Sequence, residues 1–105
     1  MKTYKVSLKP DAIADLQAIY EYIALEKGMP EMAWAYIQRL EKACGKLENA
    51  PLRGQKRDDL RKNLRIVPID KNAVAAFEVD EDAQLVTILN IFHGGQDYDA
   101  IMKGS

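Results

Sequence analysis

The chain opens with a short alternation. In TYKVSLK, Thr3 to Lys9, the apolar Tyr4, Val6 and Leu8 alternate with Lys5, Ser7 and Lys9, the period of a half-buried strand. Pro10 then supplies the backbone angle favoured at the first helical position, and Asp11 suits the positive end of a helix. Ile13, Leu16, Tyr20 and Ile23 recur at spacings of three and four, which predicts one buried helix face. Gly28 is placed to end that helix in a left-handed conformation. Pro30 and Glu31 repeat the start signal. Ala33, Ile37, Leu40, Cys44 and Leu47 form a second stripe, and Asn49-Ala50-Pro51 stops it. Two helices of about eighteen residues joined by so short a turn are expected to form an antiparallel hairpin.

Pro51 to Asn63 has no period and reads as a loop. Strand patterns resume in LRIVPI (64–69), AVAAFEV (73–79) and QLVTILNIFH (84–93), separated by the polar turns Asp70-Lys71-Asn72 and Asp80-Glu81-Asp82-Ala83. Consecutive hairpins follow. Pro68 lacks an N–H and belongs near a sheet edge or a strand end. The order is an N-terminal strand, an antiparallel helix hairpin and a three-stranded antiparallel meander. The predicted class is α+β, with helices on one face of a mostly antiparallel sheet. No repeat, low-complexity segment or linker divides it, so residues 1–103 are set as one domain; Gly104-Ser105 are a tail given no function.

Composition changes this picture little. The 105 residues are 48% apolar and 30% charged, with a net charge of −1, a globular mixture. No apolar run reaches membrane-spanning length, and the N-terminus has no signal-peptide core. With one cysteine, Cys44, an internal disulfide is impossible, and a cytoplasmic location is expected. The charge is uneven. Arg53, Lys56, Arg57, Arg61, Lys62 and Arg65 face only Asp58 and Asp59 within their stretch, a local excess of about four positive charges that can orient a partner.

Four groups of residues, in this order, resemble a known family: Pro10-x4-Asp15-Leu16-x2-Ile19-Tyr20-x-Tyr22-Ile23; Tyr36-Ile37-x2-Leu40; Arg57-x-Asp59-Leu60-Arg61-x2-Leu64-Arg65; and Ile91-x-His93-Gly94-x2-Asp97. Together they resemble the ParE branch of the RelE/ParE toxin superfamily over nearly the whole chain. The resemblance implies the RelE/ParE toxin fold and a toxin of a type II toxin–antitoxin pair, held inactive by a ParD-like antitoxin. ParE-type toxins act on DNA gyrase; RelE-type toxins cut messenger RNA on the ribosome. The sequence departs from the ParE pattern in Gly95-Gln96, where paired arginines often follow the His-Gly, and in the small alanines of AVAAF.

The resemblance directs attention to Arg57, Arg61, Arg65 and His93 as target-binding residues. His93, the only histidine, has two readings. It ends the last strand and hydrogen-bonds the turn, or it is a general acid or base in an RNA-cutting site with Arg61, Arg65 and Tyr98. The second reading needs several cations converging on one phosphate, and the AVAAF strand supplies none. Arg61 is equally expected to pair with Asp58 or Asp59. Trp34 falls off the helical stripe and is expected to be exposed; with Tyr22 and Met32 it forms the proposed antitoxin contact. Cys44 lies in the stripe and reads as a buried small side chain. A single histidine and cysteine without a carboxylate cluster make neither a zinc site nor any cofactor site. The leading expectation is therefore a gyrase-binding toxin. The alternatives are a ribosome-dependent endoribonuclease, or an attenuated member that binds only antitoxin or itself as a homodimer.

Overall fold

A computed structural model describes residues 3–94 and Met102. Strand β1 (Lys5–Leu8) leads into α1 (Pro10–Glu21), which continues as a π-helical turn over Tyr22–Glu26. Helix α2 (Pro30–Gly45) returns antiparallel and tightens into a 3₁₀ turn at Lys46–Glu48. The strands β2 (Gln55–Lys56), β3 (Arg65–Asp70), β4 (Ala73–Asp80) and β5 (Leu85–His93) complete the chain. Pro10 and Pro30 act as expected, each at a helix start. Gly28 carries the left-handed φ of +66° that closes the first helix.

The sheet order is β1-β5-β4-β3-β2. The meander β3-β4-β5 is antiparallel, whereas β1 lies parallel to β5, with Lys5 opposite Leu85 and Leu8 opposite Ile88. Periodicity alone did not indicate that parallel pair; the helix hairpin is the crossover that a parallel connection requires. The stretch predicted as loop contains the two-residue β2, which covers only Arg65 and Ile66 of β3. Pro68 lies beyond that cover, on the open part of the edge, next to a register shift between Pro68 and Asp70.

The main core lies between the hairpin and the sheet. Leu16, Ile19, Ile37, Leu40, Cys44 and Leu47 pack there against Phe77, Val86, Ile88 and Ile91. The second helical stripe is buried as predicted. The first is corrected. Leu16 is buried and Tyr20 and Ile23 pack half-buried against the core, but Ile13 is 54% exposed, and Ala12 and Ile19 complete the sheet-facing line. Ala12 has no exposed surface, so its small side chain lets α1 approach β1 and β5 closely, and one residue further on a helix points about 100° away.

A second cluster covers the reverse face of the sheet: Leu64, Ile66, Ala76, Leu89, Phe92 and Met102, with Leu60 and Val74 at its margin. Strand β4 is thus packed on both sides, Ala75 toward the helices and Ala76 away from them, each without exposed surface. The run AVAAF is small and apolar because it has no solvent face. In β5 the pairing passes from Ala76 opposite Asn90 to Phe77 opposite Ile88, a bulge at Leu89. The bulge sends Leu89 and Phe92 to the reverse cluster while Ile91 stays in the main core.

Candidate functional site

The basic segment folds onto the far end of the sheet, and its charges meet partners there. Gly54 has φ +84°, and a Cβ in its place would lie 2.5 Å from the carbonyl oxygen of Ile66, so only glycine fits beside β3. Asp58 Oδ1 accepts the backbone N–H of Asn63 at 2.8 Å, and Arg57 N donates to Leu64 O at 2.8 Å, closing the loop. The Arg57 side chain, only 16% exposed, donates to both oxygens of Asp59 at 2.9 and 2.8 Å. Contrary to the expectation from sequence, Arg61 pairs with neither Asp58 nor Asp59; it reaches across to Glu78 of β4, Nη2 to Oε1 3.1 Å. Asp59 is held by Arg57, and Lys56 lies 3.7 Å from Asp58. Arg65 donates to the carbonyl of Leu52 at 2.9 Å.

His93 lies at the opposite end of β5. Glu78, the partner of Arg61, stands opposite Thr87 in the register, and His93 is six residues further along, about 20 Å at the rise of a strand. His93 and Arg61 therefore do not converge on one phosphate. Tyr98 and Asp97, with the Gly95-Gln96 pair, lie outside the described residues.

Around His93 the structure builds a different constellation. The strand ends where Gly94, with φ +70°, donates its N–H to the carbonyl of Asn72 at 2.9 Å. The imidazole meets the ring of Tyr36 edge-on, 5.5 Å between centroids at 63°. Tyr36 donates its hydroxyl to Asp70 Oδ2 at 3.1 Å. Burial, reinforced by that hydrogen bond and by the charge of Asp70, pushes its phenol up to about 12, against the opposing pull of Arg39. The Arg39 guanidinium lies over the Tyr36 ring at 5.0 Å and 3.5 Å from Asp70 Oδ1. On the α1 side, Asp15 Oδ2 accepts the N–H of Ile91 at 2.8 Å and Asn90 Nδ2 at 3.3 Å. Those bonds satisfy β5 past the point where β1 has ended, at Ile88. Asp15 was visible in the sequence only as a position in a pattern, and nothing there disclosed this contact across 76 residues.

Two shallow grooves share His93 as a wall. One runs along α1 past Asp15, Ala18 and Tyr22; the other runs between α2 and the β3–β4 turn past Met32, Tyr36 and Arg39. Tyr22 and Met32, named from sequence as partner contacts, thus flank His93. Trp34 is 59% exposed, but two positions beyond Met32 it points about 200° around α2 and lines neither groove. Leu25 and Met29, 76% and 46% exposed, extend the apolar surface at the hairpin tip and were not anticipated. The nearest signal was that Leu25 breaks the stripe after Ile23.

Cys44 is buried, and desolvation pushes its thiol up to about 11, with the nearby Glu41 adding to the rise. Among the described residues no group of three histidine, cysteine or acidic side chains is arranged to hold a metal ion, and no helix is long and apolar enough to cross a membrane.

Comparison with solved structures finds this architecture in toxin–antitoxin complexes. The chromosomal ParDE system from P. aeruginosa aligns with a TM-score of 0.71 at 25% identity, covering 87% of this chain and 96% of the other. The toxin–antitoxin complex RelBE2 from Mycobacterium tuberculosis aligns with a TM-score of 0.62 at 21% identity, over 91% of this chain and 97% of the other, a likeness of fold. No curated protein sequence matches. The family model for the ParE toxin of the type II toxin–antitoxin system parDE matches residues 6–98. With nearly its whole length matched and a fold shared with a ParDE complex, the chain belongs to the ParE toxin family of type II toxin–antitoxin systems.

Proposed function

We propose that this ParE-family toxin works by binding: it inhibits DNA gyrase and is neutralised by a ParD-like antitoxin that covers the grooves beside His93. One observation carries the preference for binding over RNA cleavage. His93 stands about 20 Å from the Arg61–Glu78 pair along β5, and Arg57, Arg61 and Arg65 are each engaged by a carboxylate or a carbonyl. A phosphoryl-transfer site needs such groups converged on one phosphate. The support for an antitoxin is the family assignment together with the exposed Tyr22, Leu25, Met29 and Met32, apolar surface of the kind that protein partners cover.

The test uses the purified chain in two reactions side by side, gyrase supercoiling and ribosomal translation of a defined messenger RNA. Supercoiling should fall while the message stays intact. Ribosome-dependent cleavage of the message without an effect on gyrase would replace this reading with the endoribonuclease one. Co-expression with a ParD-like protein should restore growth to cells that the chain alone arrests.

A further inference from the structure

The groove between α2 and the β3–β4 turn has an asymmetric distribution of charge. Its carboxylates are turned inward and satisfied. Asp70, whose side chain is 22% exposed, accepts from Tyr36 and lies beside Arg39; across His93, Asp15 accepts from Ile91 and Asn90. Its cations are turned outward. The Arg39 side chain is 65% exposed, and its distance of 3.5 Å to Asp70 is that of a loose contact. The guanidinium carbon lies 5.0 Å over the Tyr36 ring, a cation–π contact that does not occupy its N–H groups. A guanidinium has five donors, and among the described residues Asp70 is its one carboxylate partner. Lys71 lines the same rim from the turn and is exposed. Below this rim lie Ile23 and Met32, the latter 63% exposed.

We propose that Arg39 and Lys71 receive a carboxylate from the antitoxin's docking segment, while Ile23 and Met32 take an apolar side chain of the same segment. This rests on the antitoxin reading above and adds the chemistry of the partner at this groove. Arg39 and Met32 are seven residues apart on α2, about 10 Å. The acid and the apolar residue of the occupant are therefore about three positions apart in an extended segment, or about seven in a helical one. A basic segment is disfavoured, because it would meet outward cations and find the acids already engaged.

The experiment pans a phage-displayed library of random dodecapeptides on the full-length chain and measures the enriched peptides by fluorescence anisotropy. Peptides should emerge with an aspartate or glutamate at one of those spacings from an apolar residue. Arg39→Gln should weaken them about tenfold or more, as loss of a hydrogen bond to a charged group does, and Lys71→Gln should weaken them less. Neutralising the peptide's acid should cost more than Arg39→Gln, since the Lys71 contact goes with it, and adding Arg39→Gln to a neutralised peptide should cost little further. Both residues are exposed, and equal melting temperatures will show that the variants fold. Enriched peptides without an acid, peptides that bind Arg39→Gln as tightly as wild type, or no enrichment at all would each overturn the proposal. The two readings fail separately. If a ParD-like protein does not rescue cells from the wild-type chain, the antitoxin assignment falls whatever the peptides do. If an Arg39→Gln chain that is still toxic is neutralised at the wild-type dose, the charge proposal falls and the antitoxin assignment stands.

Discussion

Asp15 offers the sharpest test of how the site is held. Its carboxylate joins α1 to β5 by accepting the Ile91 N–H at 2.8 Å and Asn90 Nδ2 at 3.3 Å. Asp15→Ala removes both acceptors. Ile91 is 2% exposed, so its N–H loses a charged acceptor at the floor of the groove that Asp15 and Ile91 line. A hydrogen bond to a charged group contributes about 1.5–3 kcal/mol, and an orphaned buried donor costs a similar amount. The expected loss is therefore about 1.5–3 kcal/mol, which for a domain near 100 residues lowers Tm by roughly 6–12 °C. Asp15→Asn keeps an acceptor oxygen without the charge and should lose about half as much. Urea denaturation gives the free energies, and amide hydrogen exchange resolved at Ile91 gives the mechanism, since that amide should exchange faster than its neighbours in β5. If Asp15→Ala unfolds within about 0.5 kcal/mol of wild type and Ile91 exchanges at the wild-type rate, the carboxylate does not hold the strand.

Three further outcomes follow from the same structure. Leu40, without exposed surface at the centre of the helix–sheet core, should cost about 2–5 kcal/mol as Leu40→Ala in chemical denaturation; a loss below about 0.5 kcal/mol would remove it from the core. Gly54→Ala should destabilise by more than about 1 kcal/mol, because the new methyl meets the Ile66 carbonyl and the residue keeps φ +84°; a neutral result would mean that the loop does not hug β3. Tyr36 has its phenol pushed from 10.0 up to about 12 in the folded chain, so its contribution is complete below pH 10 and is lost as pH rises toward 12. Wild type should therefore lose more stability across that window than Tyr36→Phe, and parallel urea curves for the two proteins would show that the phenol is not shifted.

The helices were legible in the sequence because each carries its own start and stop chemistry and a stripe of period 3.6. The strands β3, β4 and β5 were legible because polar turns separate them. What escaped were relations between distant residues. The parallel register of β1 on β5 depends on no local pattern. On α1 the first position of the stripe was misassigned, because Ile13 outranks Ala12 in apolarity although Ala12 is the one that fits against the sheet, while Leu16, Tyr20 and Ile23 do pack on the core. The partner expected for Arg61 was missed for a similar reason. Asp58 and Asp59 are adjacent in sequence, but Arg57 and the Asn63 amide engage them, and Arg61 finds Glu78 across a strand. At the candidate site, exposure of Trp34 was legible from its position off the stripe. The gathering of Tyr22, Met32 and Tyr36 around His93 was not, since it depends on the π-helical turn and on the bulge at Leu89.

These relations bear on how a small toxin can be both stable and available to partners. At the basic end of the sheet the side chains hold the loop: Arg57 binds Asp59, Arg65 binds Leu52, and Gly54 brings the chain against β3. A substitution there acts first on the fold, so loss of function on changing Arg57 is ambiguous unless stability is measured beside it. At the His93 end the division is different. The inner ring of contacts, Asp15 to Ile91 and Tyr36 to Asp70, fixes the geometry. The outer groups, Tyr22, Met32 and Arg39, have much of their surface in solvent, and changing them should cost little stability. Function can be altered there without unfolding the chain. Variants at Met32 and Arg39 therefore separate binding from folding more cleanly than the basic loop, despite the greater prominence of that loop in the sequence.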